Sequence, residues 1–385
     1  MESSRSHTRV AETARADEIF QLLRDGRPRT RAGLAKHTGL ARSTVAARVD
    51  ALLERGLVKI VGTASSTGGR PSSQIAFNPD ARVALAVDLG ATHCRVAVTN
   101  LTGAILSSRR SDITIADGPE AVLGFVEDLG VDLLHEAGRT VRDLIGVGVG
   151  LPGPVEHSTG RPFMPPIMPG WDGFDVPARL RRSFDVPIAV DNDVNIMAFG
   201  ERAVAWPDVA DFLFVKVATG IGAGIIASGR LQRGAQGVAG DLGHIVLSSE
   251  AGSGRTLEDM VSGSAIASRL RERGLDAPDS RAVTALVRSG DPDVQAEVRE
   301  AGRVLGGVLC NFICLMNPSV IVLGGGLAQG SEDLLAGVRE LVYSQSTPLA
   351  TGRLQISRST TGEDAAIIGA SLLAIESAMN GFAAL

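Results

Sequence analysis

The chain has 385 residues, a length that predicts two or three domains, and 44% of them are hydrophobic, which suits a globular protein with a sizeable core. Three scattered cysteines (Cys94, Cys310 and Cys314) exclude a disulfide framework, and the longest apolar stretch, Val304–Met316, is too short to span a bilayer. Since the N-terminus also shows no apolar signal segment, we expect a reduced, cytoplasmic setting and no membrane partner.

Charge is distributed unevenly along the chain, whose net charge is −5. Residues 1–80 hold 13 Lys+Arg against 8 Asp+Glu, whereas the remainder holds 25 against 35. A basic N-terminal region on an otherwise acidic chain is expected when only that region binds nucleic acid. The alternative is chance, because an excess of about five charges is not large for a domain of this size.

The first 78 residues show the pattern of a winged helix-turn-helix domain. Thr30 is placed to cap a helix, and Gly39 provides the tight turn before the next one. The last two predicted strands can pair as a β-hairpin, which would be the wing. In chain order we predict a helix from about Thr13 to Asp25, helices over Arg31–His37 and Ala41–Glu54, and strands over Leu57–Val61 and Gln74–Phe77.

In this type of domain the N-terminal end of the third helix enters the major groove of DNA. Arginine can bind guanine there, while serine and threonine can hold phosphates. The thin Gly-Arg-Pro tip of the wing would let an arginine enter a narrow minor groove. The residues expected at DNA are Arg42, Ser43, Thr44, Arg48 and, at the wing tip, Arg70. The alternatives are a winged helix that binds protein and a solvated basic face.

The rest of the chain carries one pattern twice, roughly 130 residues apart, as a duplicated lobe would. Val83–Val87 leads into the glycine turn Asp88–Thr92, and Phe212–Val217 leads into the glycine turn Thr219–Gly224. A further strand, Val320–Leu323, also ends in glycines. Such turns expose backbone N–H groups to an anion such as phosphate. Glycine-rich hairpins without a ligand are the alternative.

Five motifs in this order resemble those of the ROK family (repressor, open reading frame, kinase). They are Asp88–Thr92, Asn192–Asn195, Thr219–Gly224, Ala239–His244 and Gly324–Gly326, and the resemblance covers about residues 80–385. It implies an α/β fold in which a winged helix-turn-helix domain precedes a two-lobed, actin-like (ribonuclease-H-like) sugar-kinase fold. The expected division is residues 1–78 for the DNA-binding domain, 79–190 plus 365–385 for lobe one and 191–364 for lobe two.

The resemblance also implies the roles of single residues. In a kinase, Asp193 would accept the proton of the attacking hydroxyl. From spacing alone the stretch around it also fits an Asx turn or helix cap, and the hydrophobic pattern that follows predicts a helix over Ile196–Ala203. His244 also fits a lone hydrogen-bonded histidine. The implied sugar-binding residues are Asn192, Asp193, Asp241, His244 and Glu258. The implied nucleotide- and phosphate-binding residues are Asp88, Gly90, Thr92, Thr219, Gly220, Gly222, Gly324 and Gly325.

Three departures from the family pattern lie on the sugar side. The three zinc-binding cysteines of the family would fall at Ser249, Ala251 and Thr256, so His244 lacks partner ligands and we expect no zinc. Asp241 replaces a glutamate, which withdraws the carboxylate by one methylene. Ile167 replaces an asparagine that contacts sugar in the kinases.

The sequence therefore predicts a sequence-specific DNA-binding transcriptional regulator, a repressor, whose ROK domain senses a carbohydrate or a sugar phosphate. We expect double-stranded DNA with a palindromic operator as partner and a homodimer or homotetramer as the binding species. The alternative is an ATP-dependent sugar kinase that carries a DNA-binding module and needs ATP and Mg²⁺. The three departures weigh against that enzyme.

Overall fold

The computed structural model describes residues 19–20, 22–63, 72–248 and 254–382. Contacts divide the chain into two compact units. The first unit comprises the described parts of Met1–Val149, Asp175–Val190 and Ala370–Leu385, and the second comprises those of Gly150–Phe174 and Asp191–Gly369. The contacts thus group the N-terminal domain with the sheet that follows it, while the three-part division expected from the sequence stays a prediction.

Both units contain helices and strands. The helices are α1 (Arg31–Thr38), α2 (Arg42–Glu54), α3 (Pro119–Glu136), α4 (Val176–Leu180), α5 (Asp193–Ala205), α6 (Leu257–Val261), α7 (Gly263–Glu272), α8 (Ser280–Arg288), α9 (Pro292–Met316), α10 (Gly326–Gly330), α11 (Glu332–Gln345), α12 (Pro348–Thr351) and α13 (Asp364–Phe382). The strands are β1 (Arg29–Thr30), β2 (Val58–Thr63), β3 (Ser73–Phe77), β4 (Val83–Leu89), β5 (Cys94–Asn100), β6 (Ile105–Ser111), β7 (Leu144–Leu151), β8 (Val155–Glu156), β9 (Arg161–Pro162), β10 (Ile188–Asn192), β11 (Phe212–Val217), β12 (Ile221–Ala227), β13 (Arg230–Gln232), β14 (Val246–Ser248), β15 (Arg255–Thr256), β16 (Val320–Gly324) and β17 (Gln355–Arg358). Among the described residues, no helix has both the length and the hydropathy that a membrane crossing needs.

The N-terminal domain is a winged helix. The hydroxyl of Thr30 accepts a hydrogen bond from the Gly33 N–H at 3.1 Å and caps α1, as the sequence predicts. Gly39 ends α1 in the left-handed conformation (φ 68°), which glycine adopts without strain. The predicted wing strands pair as the antiparallel hairpin β2–β3, and β1 adds a short third strand beside β3. Arg70 and the rest of the wing tip, residues 68–71, lie outside the described residues.

The two large sheets have the same strand order. The first runs β6-β5-β4-β7-β10 and the second runs β13-β12-β11-β16-β17. In each sheet the three strands that come first in the chain pair as antiparallel hairpins, β4–β5–β6 and β11–β12–β13. This match is the duplication that the repeated glycine pattern predicts, and the mixed α/β class is confirmed.

One hydrophobic core joins the winged helix to the first large sheet. Leu57 and Phe77 of the winged helix lie in the same buried cluster as Ile145 on β7 and as Ala374 and Ile375 on α13. A fully buried apolar side chain stabilises a fold by about 1.5–3 kcal/mol. The winged helix is therefore packed onto the rest of the first unit and not merely tethered to it.

Two arginines secure the segment that connects the winged helix to β4. Arg82 donates to the carbonyl of Arg142 at 2.8 Å, and Arg139 donates to the carbonyl of Asp80 at 3.0 Å. Both bonds link the connecting segment to the loop before β7; the connecting segment donates in the first and the loop donates in the second. Side-chain bonds of this reciprocal kind restrict rotation of the connection and add to the effect of the shared core.

Candidate functional site

Asn192 stands where β10 ends and α5 begins. Its Oδ1 accepts from the Val194 N–H at 2.9 Å and its Nδ2 donates to the Gly153 carbonyl at 2.9 Å. The helix begins at Asp193, three residues before the start at Ile196 that the hydrophobic pattern indicates, because Asn192 supplies the N-cap. The helix-cap interpretation therefore holds for Asn192, and its contact with sugar stays a prediction.

Asp193 is buried in the first turn of α5 and forms an ion pair with a residue that the sequence did not single out. Its Oδ2 lies 2.5 Å from Nζ of Lys216 on β11. Asp191, also buried, lies with Oδ2 2.6 Å from Nε of Arg233 and accepts from Nδ2 of Asn195 at 2.9 Å through Oδ1. Each of these buried carboxylates is thus neutralised by a cation of the same unit, as buried charge requires.

Asp241, His244 and Glu258 lie beside the turn between β11 and β12. Nδ1 of His244 is 2.9 Å from Oδ1 of Asp241, and Oε2 of Glu258 accepts from the Ile221 N–H at 2.9 Å. The sequence-predicted sugar residues of the second unit therefore fall into two groups, one at the start of α5 and one at this turn. The hairpin β11–β12 links them, because Val194 of α5 packs on Gly222 while Glu258 bonds to Ile221.

The hydrogen bond with Asp241, together with its negative charge and that of Glu258, raises the pKa of His244 above the usual value for histidine. Because the folded-state pKa of His244 is raised, the stabilisation from its protonated form is complete below the unfolded-state histidine pKa and is lost as the pH rises through the folded-state pKa. We expect the imidazole of His244, followed by NMR, to titrate at a higher pH in the wild type than in Asp241→Asn. Equal midpoints would show that Asp241 does not hold the ring. A His244→Gln variant identifies the signal among the six histidines.

The zinc positions of the family are only partly described. Thr256 caps α6, while Ser249 and Ala251 lie outside the described residues. Within the described part of the chain, no group of three or more His, Cys, Asp or Glu side chains is arranged to hold a metal ion. The expected absence of zinc stays a prediction.

In the first unit, Asp88 lies near the end of β4, and Gly90 and Thr92 lie in the tight turn between β4 and β5. Gly90 N–H donates to the His93 carbonyl at 2.8 Å, and Nε2 of His93 is 3.6 Å from Oδ2 of Asp88. A Cβ on Gly90 would lie 2.1 Å from the His93 ring. The imidazole therefore covers the glycine that the phosphate-binding hypothesis leaves open to a ligand.

The remaining predicted nucleotide residues lie in the second unit, where the neighbouring parallel strands β11 and β16 end. A Cβ on Gly220 would lie 2.7 Å from Oε2 of Glu258, and one on Gly324 would lie 2.2 Å from the Phe214 ring. Packing alone therefore favours glycine at Gly324, whereas at Gly220 the crowding atom is the end of a glutamate side chain that can move. Phosphate contacts from this set stay predictions: Thr219, Gly220, Gly222, Gly324 and Gly325.

Helix α2 presents the residues predicted to contact DNA. Arg42 and Ser43, at its N-terminal end, are exposed, whereas Thr44 is half-buried. Arg48, one turn further on, is also half-buried and already interacts within the protein. Arg42 and Ser43 are therefore the best placed of the predicted contacts.

Comparison with known proteins places the chain in a family. Residues 84–377 match the ROK family model, and residues 19–59 match a winged helix-turn-helix DNA-binding model. The chain belongs to the ROK family, and its winged helix places it among the transcriptional regulators of that family, as the sequence predicts.

Individual proteins agree with this assignment. The chain is 25% identical over 371 residues to the xylose repressor of Caldicellulosiruptor bescii, covering 91% of this chain and 92% of that protein. It is 29% identical over 308 residues to the glucokinase of Halalkalibacterium halodurans, covering 74% and 92%. The crystal structure of a ROK family transcriptional regulator, a homologue of Escherichia coli Mlc, shares the fold with a TM-score of 0.84, 22% identity and coverage of 97% and 98%.

Proposed function

We propose that the chain is a cytoplasmic repressor that binds a palindromic operator through its winged helix and releases it when a carbohydrate binds to the second unit. The shared hydrophobic core of Leu57, Phe77, Ile145 and α13 carries this proposal. It fastens the DNA-binding domain to a helix whose other end belongs to the sugar-binding unit.

Helix α13 provides a physical route from sugar to DNA. In the second unit its first turns pack against α5, the helix that begins at Asp193; a Cβ on Gly369 would lie 1.9 Å from the Ile196 carbonyl. In the first unit Ala378 and Met379 lie in the core that contains the winged helix. A sugar that shifts α5 would shift α13 with it. Release requires that the sugar bind one arrangement better, and a 100-fold preference corresponds to about 2.7 kcal/mol.

The proposal predicts discrete DNA sites. Genomic fragments captured on the purified full-length chain should contain a palindromic sequence, since two half-sites match a two-fold homodimer or homotetramer. Sugars from the pathways encoded beside these sites should release the fragment. Diffuse enrichment that disappears with added salt would refute sequence-specific repression, because non-specific binding depends on phosphate contacts alone.

Arg42 offers the sharpest single test of the DNA-binding surface. Because a bidentate arginine–guanine contact is worth about 1–3 kcal/mol, we expect Arg42→Ala to weaken operator binding by about tenfold or more. The control is Arg353→Ala, which removes one exposed charge from the second unit and should leave affinity unchanged. Equal losses in the two variants, measured by fluorescence anisotropy at one salt concentration, would assign the effect to net charge and not to α2.

The structure disfavours the alternative function, a sugar kinase that uses ATP and Mg²⁺. Asp193, the base that such an enzyme needs, is paired with Lys216, and the His93 ring covers Gly90 in the predicted phosphate turn. Sugar-dependent release of ADP that disappears in Asp193→Ala would nevertheless establish it.

A further inference from the structure

We propose that the effector is an uncharged sugar that Lys216 contacts, and that the carboxylates around Lys216 exclude phosphorylated sugars. This inference rests on the proposed function. It specifies that the ligand carries no charge, whereas the family resemblance allows either a sugar or a sugar phosphate. It also assigns a role to a lysine that none of the sequence motifs includes.

The cations beside the predicted sugar residues are already engaged. Lys216 is bound to Asp193, Arg233 to Asp191, and His244 to Asp241. A phosphate group that entered here would face two buried carboxylates and would have to draw a cation away from one of them. Leaving a buried carboxylate without its partner is strongly unfavourable. A neutral sugar imposes no such exchange.

The glycine turn between β11 and β12 points to the same conclusion. Backbone N–H groups in such a turn can bind an anion. In this chain the carboxylate of Glu258 accepts the Ile221 N–H at 2.9 Å and lies 2.7 Å from the position of a Cβ on Gly220. An anion of the protein itself therefore occupies the turn. A phosphate would be repelled by Glu258 as well as by Asp193.

The Lys216–Asp193 pair suits sugar hydroxyls. An ammonium group has three N–H donors, and a carboxylate has two acceptor oxygens. Asp193 engages Lys216 through Oδ2. A hydroxyl can donate to the carboxylate and accept from the ammonium, so the pair recognises the O–H group in both of its roles.

The composition marks Lys216 as unusual. The chain has 38 lysines and arginines, and only Lys36, Lys59 and Lys216 are lysines. The other two are exposed on the winged helix. A lysine next to a buried carboxylate, in a chain that otherwise uses arginine, indicates a position that needs a compact cation and not the planar guanidinium fork.

The decisive experiment compares neutral and phosphorylated sugars on the wild-type chain. Neutral mono- and disaccharides and their phosphate esters are titrated by calorimetry at matched ionic strength. We expect a neutral sugar to bind at least tenfold more tightly than its phosphate. Tighter binding of a phosphate would overturn this inference and leave the sugar-responsive repressor intact. If no sugar of either class binds or releases DNA, the proposed function itself fails.

The three lysines make a direct readout of contact possible. Reductive methylation of the wild-type chain, followed by mass spectrometry, should show that the neutral sugar protects Lys216 and leaves Lys36 and Lys59 unchanged. A sugar that binds without protecting Lys216 would refute the contact. In a second arm, Lys216→Met should lose at least tenfold in sugar affinity while Lys59→Met, the matched control, loses none. The protection of lysines measured on the wild-type chain tests the contact with Lys216 even if Lys216→Met does not fold.

Discussion

Replacing Gly369 by alanine will lower the free energy of unfolding by about 3 kcal/mol or more, at the upper end of the overpacking range. A Cβ at this position would lie 1.9 Å from the Ile196 carbonyl oxygen and 3.0 Å from the Gly200 backbone nitrogen. Alanine in place of Gly200, on the facing helix α5, meets the same obstacle, since a Cβ there would lie 2.0 Å from the Ala365 carbonyl oxygen. Helices α5 and α13 touch backbone to backbone through these two glycines, and neither helix can yield without disturbing a buried core.

Urea unfolding of the full chain, followed by circular dichroism, measures this effect. The control is Gly124→Ala in α3, where the nearest atom, the tip of the Arg179 guanidinium, is 3.9 Å from the new Cβ. That substitution should be neutral or stabilise by up to about 1 kcal/mol, because alanine favours a helix over glycine. If Gly369→Ala unfolds at the same urea concentration as the wild type, the close packing of α5 on α13 is wrong.

Much of the fold could be predicted because it depends on local patterns. The Thr30 cap and the Gly39 turn are confirmed in place. The duplicated glycine pattern predicts two sheets with the same strand order. The start of α5 was misplaced because the hydrophobic pattern begins only at Ile196, whereas the helix is started by the Asn192 cap.

The electrostatics of the site could not be predicted in the same way. Asp193 meets Lys216 across 23 residues, and Asp191 meets Arg233 across 42, so each pair depends on contacts between distant parts of the chain. The motifs select the carboxylates but not their cations. The rarity of lysine was the one available signal for Lys216, and the tight turn around Gly90 gave no sign that His93 folds over it.

Removing the carboxylate of Glu201 will lower the free energy of unfolding by about 3–5 kcal/mol. Glu201 is completely buried on α5, next to Gly200. It accepts hydrogen bonds from the Ser359 hydroxyl at 2.6 Å, from the Thr360 N–H and hydroxyl at 2.9 and 3.1 Å, and from the Thr361 N–H at 3.1 Å and hydroxyl. This loop leads from β17 into α13. Glu201→Ala would deprive five donors of their shared acceptor, which is itself completely buried.

Glu201→Gln separates the charge from the shape of this residue. Its carboxamide fills the same space but turns an NH₂ group toward donors, so we expect a loss close to that of Glu201→Ala in urea unfolding. Glu300→Ala, at a largely exposed position on α9, is the control and should change stability by less than about 0.5 kcal/mol. A stable Glu201→Gln would mean that shape alone holds the loop. Gly200 and Glu201 are adjacent on α5, and both hold the start of α13. Loss of either should therefore loosen the contact between α13 and α5. We expect the response of operator binding to sugar to weaken as a result.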